Sequence, residues 1–209
     1  MYESCIKRLL DLILSLAACV VLAIPMGIIA LWIKKDSPGP VFFKQRRVGR
    51  GKKCFNILKF RTMRGDTPHD VPTHLLKNAD SYITKSGAFL RRTSLDELPQ
   101  IYNILKGDMS IVGPRPERPE LAEEIEEEIP EFCYRLKMKA GLTGYAQVYG
   151  KYNTTSYDKL KLDLTYIRNY SLLLDLKLML MTPKIMMLKE STEGVADNGN
   201  ASDSRHPGV

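Results

Sequence analysis

The strongest pattern in the chain is a long apolar run near its N-terminus. Residues 12–33 carry no formal charge, and as a helix rising ~1.5 Å per residue they extend about 33 Å, close to a hydrocarbon core of ~30 Å. The run continues through Trp32 to Lys34 and Lys35, whereas a cleavable signal peptide has a shorter apolar core that ends at a small-residue cleavage site. These features predict a membrane-inserted helix within residues 1–36.

Two paths through the lipid fit this helix. Lys7 and Arg8 precede the run and a larger basic cluster follows it, a distribution that places both ends in the cytoplasm. Pro25 removes one backbone donor and bends the helix past its middle. A helix broken at Pro25 can be re-entrant, entering and leaving by one leaflet, or a kinked helix can cross the bilayer and translocate a short tail. The basic cluster comprises Lys34, Lys35, Lys44, Arg46, Arg47, Arg50, Lys52 and Lys53.

A basic β-hairpin is predicted directly after the membrane helix. Proline and glycine residues over 36–40 end the helix, and the residues that follow alternate as strands over 41–48 and 54–63. This alternation places Lys59 and Arg61 on one face of the second strand. The hairpin is expected to contact lipid headgroups or solvent.

The rest of the pattern predicts a compact body of the α+β class, mostly helical, with interfacial amphipathic helices. This catalytic domain should occupy residues 37–188, followed by a disordered tail over 189–209 that is rich in Ser, Gly, Asn and Asp. The apolar stretch 172–188 contains too many charges to span a bilayer and is expected to be an interfacial or a core helix. Helices are predicted at 85–92, up to 105, at 119–129, 157–170 and 172–188, and short strands at 109–112 and 144–148.

Composition and charge narrow the function classes. The 209 residues carry a net charge of +7, but residues 117–131 contain eight Glu and one Arg, so the remainder is far more basic. Such a body is attracted to polyanions or to an anionic membrane face, and the apolar run favours the membrane over nucleic acid. The four cysteines form no C-x-x-C pair, which indicates neither a disulfide framework nor a zinc site.

Two adjacent carboxylates, Asp96 and Glu97, are the first candidates for chemistry. In one interpretation, Ser94 and Glu97 form a capping box at the start of the helix that ends at residue 105, and Asp96 only offsets the helix dipole. In the other, one carboxylate attacks phosphorus while its neighbour helps to hold a divalent cation. Arg91, shortly before them, would then contact phosphate.

Arg115 is the second candidate because prolines flank it on both sides. Pro116 favours an extended backbone at Arg115, and Pro114 fixes the preceding turn, so the guanidinium stands on a stiff segment. A planar, permanently charged fork suits a phosphate group that is being transferred. The alternative is an arginine in a rigid surface turn that pairs with a nearby glutamate.

Taken together and in order, these motifs resemble the monotopic phosphoglycosyl transferases, also called bacterial sugar transferases or polyprenyl-phosphate sugar-phosphotransferases. The resemblance covers about residues 4–188. The matching motifs are the apolar segment with Pro25, then Asp36-Ser-Pro-Gly-Pro-Val-Phe-Phe, Lys59-Phe-Arg-Thr-Met, Thr93-Ser-Leu-Asp-Glu-Leu-Pro-Gln, Lys106-Gly-Asp-Met-Ser-Ile-Val-Gly-Pro-Arg-Pro-Glu, Gly141-Leu-Thr-Gly-Tyr-Ala-Gln-Val and Leu174-Asp-Leu-Lys.

The resemblance implies a bacterial inner-membrane enzyme at the cytoplasmic face that moves a sugar phosphate from a UDP-sugar to undecaprenyl phosphate and releases UMP. It implies that Asp96 is the nucleophile, that Glu97 is its partner associated with Mg²⁺, and that the Pro25 helix is re-entrant. Lys151 stands where family members often carry Arg. By the same resemblance, the phosphate or substrate contacts are Arg91, Arg115, Lys59, Arg61 and, with least support, Lys151.

Two other function classes remain open from the residues alone. A membrane-attached glycosyltransferase would break the sugar–oxygen bond and release UDP, although the chain has no Asp-x-Asp motif. A non-enzymatic basic adaptor would bind anionic lipid and use Asp96 and Glu97 only as a helix cap. A P-loop kinase is excluded, since the segment 49–53 lacks the required spacing.

Overall fold

The computed structural model describes residues 5–67, 79–151 and 154–187. Within these ranges the chain is mostly helical and contains two small two-stranded sheets. The predicted disordered tail lies outside the described residues. The helices are α1 (Lys7–Asp36), α2 (Lys85–Arg92), α3 (Gln100–Lys106), α4 (Pro119–Glu128), α5 (Tyr145–Tyr149), α6 (Ser156–Asn169) and α7 (Leu172–Met187), and the strands are β1 (Phe42–Val48), β2 (Cys54–Phe60), β3 (Met109–Val112) and β4 (Ala140–Thr143).

Helix α1 is the predicted apolar helix, and it is helical without interruption through Pro25. The expected break at Pro25 is therefore not confirmed. In the described part of the chain, α1 is the one helix long and apolar enough to cross a membrane, judged by length and composition only. Its middle is exposed, with 73% of Val20 and 76% of Ile24 accessible.

The N-terminal end of α1 is fixed to the body by buried polar contacts. The Lys7 ammonium lies 2.5 Å from the Asp175 carboxylate on α7 and 3.1 Å from the Tyr166 hydroxyl on α6. One turn later, the Asp11 carboxylate accepts from the Ile111 backbone N–H of β3 at 2.9 Å. Arg8 donates to two backbone carbonyls at the end of α3. Because buried charges are costly unless paired, these contacts hold the first turns of α1 against the body.

The C-terminal end of α1 is fixed to the same body. The Asp36 carboxylate accepts from the backbone N–H and the hydroxyl of Ser86 at 2.8 and 2.7 Å, and so caps the first turn of α2. Ile33 is buried in an apolar cluster with Phe60 of β2 and Leu90 of α2. Both ends of the apolar helix therefore contact one body, while its middle does not.

The two strands of the predicted hairpin pair antiparallel, from Phe42 opposite Phe60 to Val48 opposite Cys54. The second strand ends at Phe60 rather than at Met63, so the predicted strand was too long. Arg61 lies beyond it, and its side chain donates to the backbone carbonyls of Ser37 and Pro38. This arginine therefore fixes the junction between α1 and the hairpin.

The second sheet pairs β3 with β4 in parallel, with Met109 opposite Ala140. The predicted strand over 144–148 is wrong, because this segment forms the short helix α5. The backbones cross so closely here that a Cβ on Gly141 would lie 2.1 Å from the Gly113 nitrogen. Only a residue without a side chain fits this crossing.

All five predicted helices are confirmed: α2 has the predicted bounds, and α3, α4, α6 and α7 differ from the prediction by one residue at one or both ends. The acidic helix α4 buries Ala122 against Val48 of β1 and Leu160 of α6, and its glutamates form the outer face. Helix α7 buries Leu178 completely but leaves 80% of Leu180 exposed. It is therefore a core helix along one side and an apolar surface along the other.

The close packing of α2 on the segment after β2 gives the first testable prediction. A Cβ on Gly87 would lie 2.0 Å from the Thr62 carbonyl oxygen, whereas one on Gly27 of α1 meets nothing within 4 Å. Gly87→Ala should destabilise the fold by about 1–3 kcal/mol or more, because backbone must shift to admit the methyl group. Gly27→Ala is the matched control. Thermal unfolding in detergent measures both, and equal midpoints would contradict the packing described.

Candidate active site

The two adjacent carboxylates lie in a 3₁₀ turn, Leu95–Glu97, directly before α3. Ser94 adopts the left-handed conformation at φ 55°, and its side chain caps no helix. The capping-box interpretation is therefore wrong. Glu97 takes no part in a helix cap because its carboxylate is bound by cations from distant parts of the chain.

Glu97 is held by two cations. Lys59, near the end of β2, places its ammonium 2.8 Å from Glu97 Oε1. The Arg115 guanidinium donates to both carboxylate oxygens, at 2.7 Å to Oε1 and 3.4 Å to Oε2. Burial alone would raise the pKa of Glu97, but the charges and hydrogen bonds of Arg115 and Lys59 hold it far below its usual range. Glu97 is therefore a fixed anion.

Asp96 has a different environment. Its side chain is 13% exposed, and the Lys59 ammonium is 3.9 Å from its Oδ2. Lys59 is the one cation that forms an ion pair with Asp96 within the described ranges. Burial raises the pKa of Asp96, while the charges of Lys59 and Arg91 oppose the rise. Among the residues that the structure describes, no hydrogen-bond donor occupies the Asp96 carboxylate, whereas its neighbour Glu97 accepts from both Lys59 and Arg115.

Arg115 stands on a segment whose backbone is fixed at every residue. We call Pro114–Glu117 the arginine strut. It is extended and makes no hydrogen bonds within itself, so its carbonyls depend on donors from other elements. Two backbone N–H groups donate to its ends: Gly141 to the Pro114 carbonyl and Val48 to the Glu117 carbonyl, both at 2.9 Å. Two arginine side chains donate to its middle: Arg135 to the Arg115 carbonyl at 2.8 Å and Arg47 to the Pro116 carbonyl at 3.0 Å.

Of the other residues predicted to contact phosphate, the fold brings Arg91 close to Asp96 but holds Arg61 and Lys151 elsewhere. Arg91, in the last turn of α2, donates to the Thr62 hydroxyl at 2.9 Å, and its charge acts on Asp96. Arg61 is committed to the carbonyls of the hairpin junction and does not join this group. Lys151 is exposed beyond α5, where its backbone N–H donates to Thr154. Substrate roles for Arg61 and Lys151 stay predictions.

The donor set suits a metal ion only in part. No group of three or more His, Cys, Asp or Glu that could hold a metal occurs in the described part of the chain. Mg²⁺ in phosphate-handling enzymes often binds through one or two carboxylates, with the other oxygens from substrate phosphates and water. Asp96 and Glu97 fit that limited requirement, although both oxygens of Glu97 already accept from Arg115. A magnesium role therefore stays a prediction.

Sequence reasoning missed two arginines of the site, Arg47 and Arg135. Both contact the backbone of the arginine strut, and Arg135 also pairs with the buried Asp163. Each has other charged residues close by in sequence: Arg47 is one of several cations on a basic strand, and Arg135 lies in the 3₁₀ segment Pro130–Lys137. No local spacing distinguishes them from solvent-exposed residues.

Comparison with known proteins identifies the family. The bacterial sugar transferase model matches residues 2–189, so the chain belongs to this family. It is 44% identical over 181 residues to a UDP-glucose:undecaprenyl-phosphate glucose-1-phosphate transferase of Xanthomonas campestris pv. campestris, covering 84% of this chain and 37% of that protein. It is 38% identical to a UDP-N-acetylgalactosamine-undecaprenyl-phosphate N-acetylgalactosaminephosphotransferase of Aeromonas hydrophila, covering 87% and 44%.

The chain therefore spans about two fifths of these two relatives. A third relative is matched over nearly its whole length. The exopolysaccharide production protein PSS of Rhizobium leguminosarum bv. phaseoli is 41% identical, with 90% of this chain and 96% of that protein covered.

Lys59 lies close to both carboxylates, at 2.8 Å from Glu97 and 3.9 Å from Asp96, and this gives a second testable prediction. Lys59→Gln should raise the pKa of Asp96 further, because the closest positive charge is lost while burial remains. The titration is followed through the ¹³C shift of the Asp96 carboxyl group, assigned with Asp96→Asn. The matched control is Lys52→Gln, which removes an exposed lysine paired with Glu126 of α4. An unchanged Asp96 pKa in Lys59→Gln would contradict this electrostatic arrangement.

Proposed function

We propose that this chain transfers a sugar 1-phosphate from a UDP-sugar to undecaprenyl phosphate through a covalent intermediate on Asp96. The products are UMP and undecaprenyl-diphospho-sugar, the first membrane-bound intermediate of a bacterial glycoconjugate. The names of two relatives support the substrate classes, since both contain a sugar phosphate transfer to undecaprenyl phosphate. The sugars in those names differ, so the proposal covers the type of reaction, and the identity of the sugar has to be found by experiment.

The observation that carries the proposal is the asymmetry of the two carboxylates. Arg115 and Lys59 occupy Glu97 at hydrogen-bonding distance, whereas Lys59 is 3.9 Å from Asp96. A carboxylate that accepts strong hydrogen bonds is a poorer nucleophile than one with available lone pairs. The geometry therefore favours Asp96 as the attacking group and Glu97 as the anion that organises the cations around it.

The proposed reaction has two displacements at one phosphorus atom. An Asp96 carboxylate oxygen attacks the phosphorus that carries the sugar, and the bond from that phosphorus to the bridging oxygen breaks, so UMP leaves. An oxygen of undecaprenyl phosphate then attacks the same phosphorus, and the acyl–phosphate bond to Asp96 breaks. The sugar–oxygen bond stays intact, so its configuration at the anomeric carbon is retained.

The cations of the site have distinct tasks in this scheme. Arg115 and Lys59 can share their donors between Glu97 and the equatorial oxygens of the transferred phosphoryl group. Arg91, held by Thr62, adds positive charge beside Asp96. Mg²⁺, held through Asp96, Glu97 and the diphosphate, would offset the repulsion between the nucleotide and the carboxylates.

The contacts of α1 support a path in which both ends of the apolar helix lie on one side of the bilayer, even though the helix is not broken at Pro25. A helix that crosses a bilayer has its two ends on opposite sides. Here Lys7 pairs with Asp175 at one end of α1, and Asp36 caps α2 at the other, both within one body. The exposed apolar middle then enters the lipid from the cytoplasmic face, and the exposed leucines of α7 can lie at the same interface. In this arrangement the carboxylates would lie near the level of the lipid phosphate.

The nature of the released nucleotide tests the proposed reaction. Purified protein in nanodiscs with undecaprenyl phosphate, Mg²⁺ and a panel of UDP-sugars should release UMP. Asp96→Asn should lower the rate by at least about 10³-fold, because a neutral amide cannot act as the nucleophile, and its circular dichroism should match that of the wild type. Release of UDP would show a glycosyltransferase, and the absence of any nucleotide product would support the adaptor hypothesis.

Two natural cysteines test the topology. Cys5 precedes α1 and Cys54 begins β2, and both are exposed. In variants that retain one of them alone, a membrane-impermeant thiol reagent should label both only from the cytoplasmic side. Cys54 is the internal control for the body. Labelling of Cys5 from the periplasmic side, with Cys54 labelled from the cytoplasm, would show that α1 crosses the bilayer.

A further inference from the structure

We infer that Arg135 and Asp163 are positioning residues for Arg115, and this inference rests on the proposed function. Neither residue contacts the two carboxylates in the turn. They lie behind the arginine strut and fix the backbone from which the Arg115 side chain reaches Glu97. The pair joins the 3₁₀ segment Pro130–Lys137 and α6 to the site.

Arg135 makes all of its close contacts inside the protein. Its NH2 group donates to the Arg115 carbonyl at 2.8 Å and lies 2.8 Å from Asp163 Oδ2. Its NH1 group is 3.7 Å from the Glu117 carboxylate, and its guanidinium lies 4.6 Å from the centre of the Phe132 ring. Only 5% of the Arg135 side chain and 2% of the Asp163 side chain are exposed.

The strut requires such a partner. An extended segment makes no hydrogen bonds within itself, so its buried carbonyls need donors from elsewhere. The donor to the Pro114 carbonyl is a backbone N–H of β4, and the donor to the Glu117 carbonyl is a backbone N–H of β1. The donor to the carbonyl of Arg115 itself is the Arg135 side chain. The position of Arg115 therefore depends on where Arg135 is held.

The buried pair of Asp163 and Arg135 has a desolvation cost that a contribution to stability alone does not explain. Burial raises the pKa of Asp163 to about 6, against the attraction of Arg135. Buried ion pairs are frequently no more stabilising than apolar residues of the same volume. An apolar pair could fill this space, but it could not donate to the Arg115 carbonyl. The geometry at the strut, rather than stability, explains the charges.

Displacement of the strut would move the Arg115 guanidinium away from Glu97 and from the transferred phosphoryl group. Arg115 contacts Glu97 through two donors of one planar fork, and such bidentate contacts tolerate little rotation. Misplacement of a catalytic group by ~1 Å can lower a rate by about 100-fold. The expected defect is therefore in turnover rather than in the amount of folded protein.

Steady-state UMP release by the full chain in nanodiscs tests the inference. Asp163→Asn and Arg135→Met should each lower kcat by about 10–100-fold, as for residues that orient a catalytic group, with a smaller change in KM for the UDP-sugar. In an Arg115→Lys background, Asp163→Asn should have little further effect on kcat, because its target is already lost. Leu160→Val, one turn earlier on α6 and buried, is the control for lost packing and should retain kcat.

Equal fractional losses in the wild-type and Arg115→Lys backgrounds would overturn the inference, because they would show a general structural effect. An unchanged kcat in both Asp163→Asn and Arg135→Met would also overturn the inference.

A second measurement is independent of activity. In ¹⁵N-arginine-labelled protein, the Arg115 side-chain Nε–H signal is assigned by its loss in Arg115→Lys. Rotation of this guanidinium should be slow in the wild type and in Leu160→Val, and faster in Asp163→Asn. Unchanged rotation in Asp163→Asn would overturn the inference whether or not UMP is released. A wild type with slow rotation but no UMP release would contradict only the proposed function.

Discussion

The structure depends on one largely buried carboxylate, that of Glu97, whose side chain is 16% exposed. Lys59 reaches it from β2 and Arg115 reaches it from the arginine strut, so a single anion joins the hairpin, the 3₁₀ turn and the segment after β3. Each partner alone would be a buried or half-buried charge with a large desolvation cost, and the cluster offsets that cost for all three. Glu97 is committed to this task, whereas the Lys59 ammonium is 3.9 Å from its neighbour Asp96.

The same logic connects the membrane helix to the site. Asp36 ends α1 and caps α2, and the last turn of α2 carries Arg91 beside Asp96. At the other end of α1, Arg8 donates to the last carbonyls of α3, the helix that follows the carboxylates. The apolar helix is thus bound at both ends to the elements that flank Asp96. In the proposed function, the position of this helix and the position of the site therefore depend on each other.

Local patterns predicted much of this arrangement. The strand Met109–Val112, the helix Lys85–Arg92 and the stiff segment around Arg115 follow from residues that are adjacent in sequence. The capping-box prediction was wrong because Glu97 binds Lys59 and Arg115, which are distant in sequence. The strand predicted over 144–148 lies instead at Ala140–Thr143, where Gly141 packs against Gly113, and Tyr145–Tyr149 is helical. Arg135 and Asp163 carried no local signal, since their roles exist only after the chain has folded.

In the proposed function, a cluster of fixed charges explains how such a small site can handle two highly charged substrates. A nucleotide diphosphate and a lipid phosphate both repel a buried carboxylate, and cations that were free to reorient would have to be ordered in each displacement. Glu97 orders Lys59 and Arg115 before any substrate arrives, so their donors need only be shared with phosphate oxygens rather than recruited. Preorganised charge of this kind lowers the reorganisation that accompanies transfer. The costly burial of Glu97 is therefore consistent with phosphoryl transfer and not required by a surface that only binds lipid headgroups.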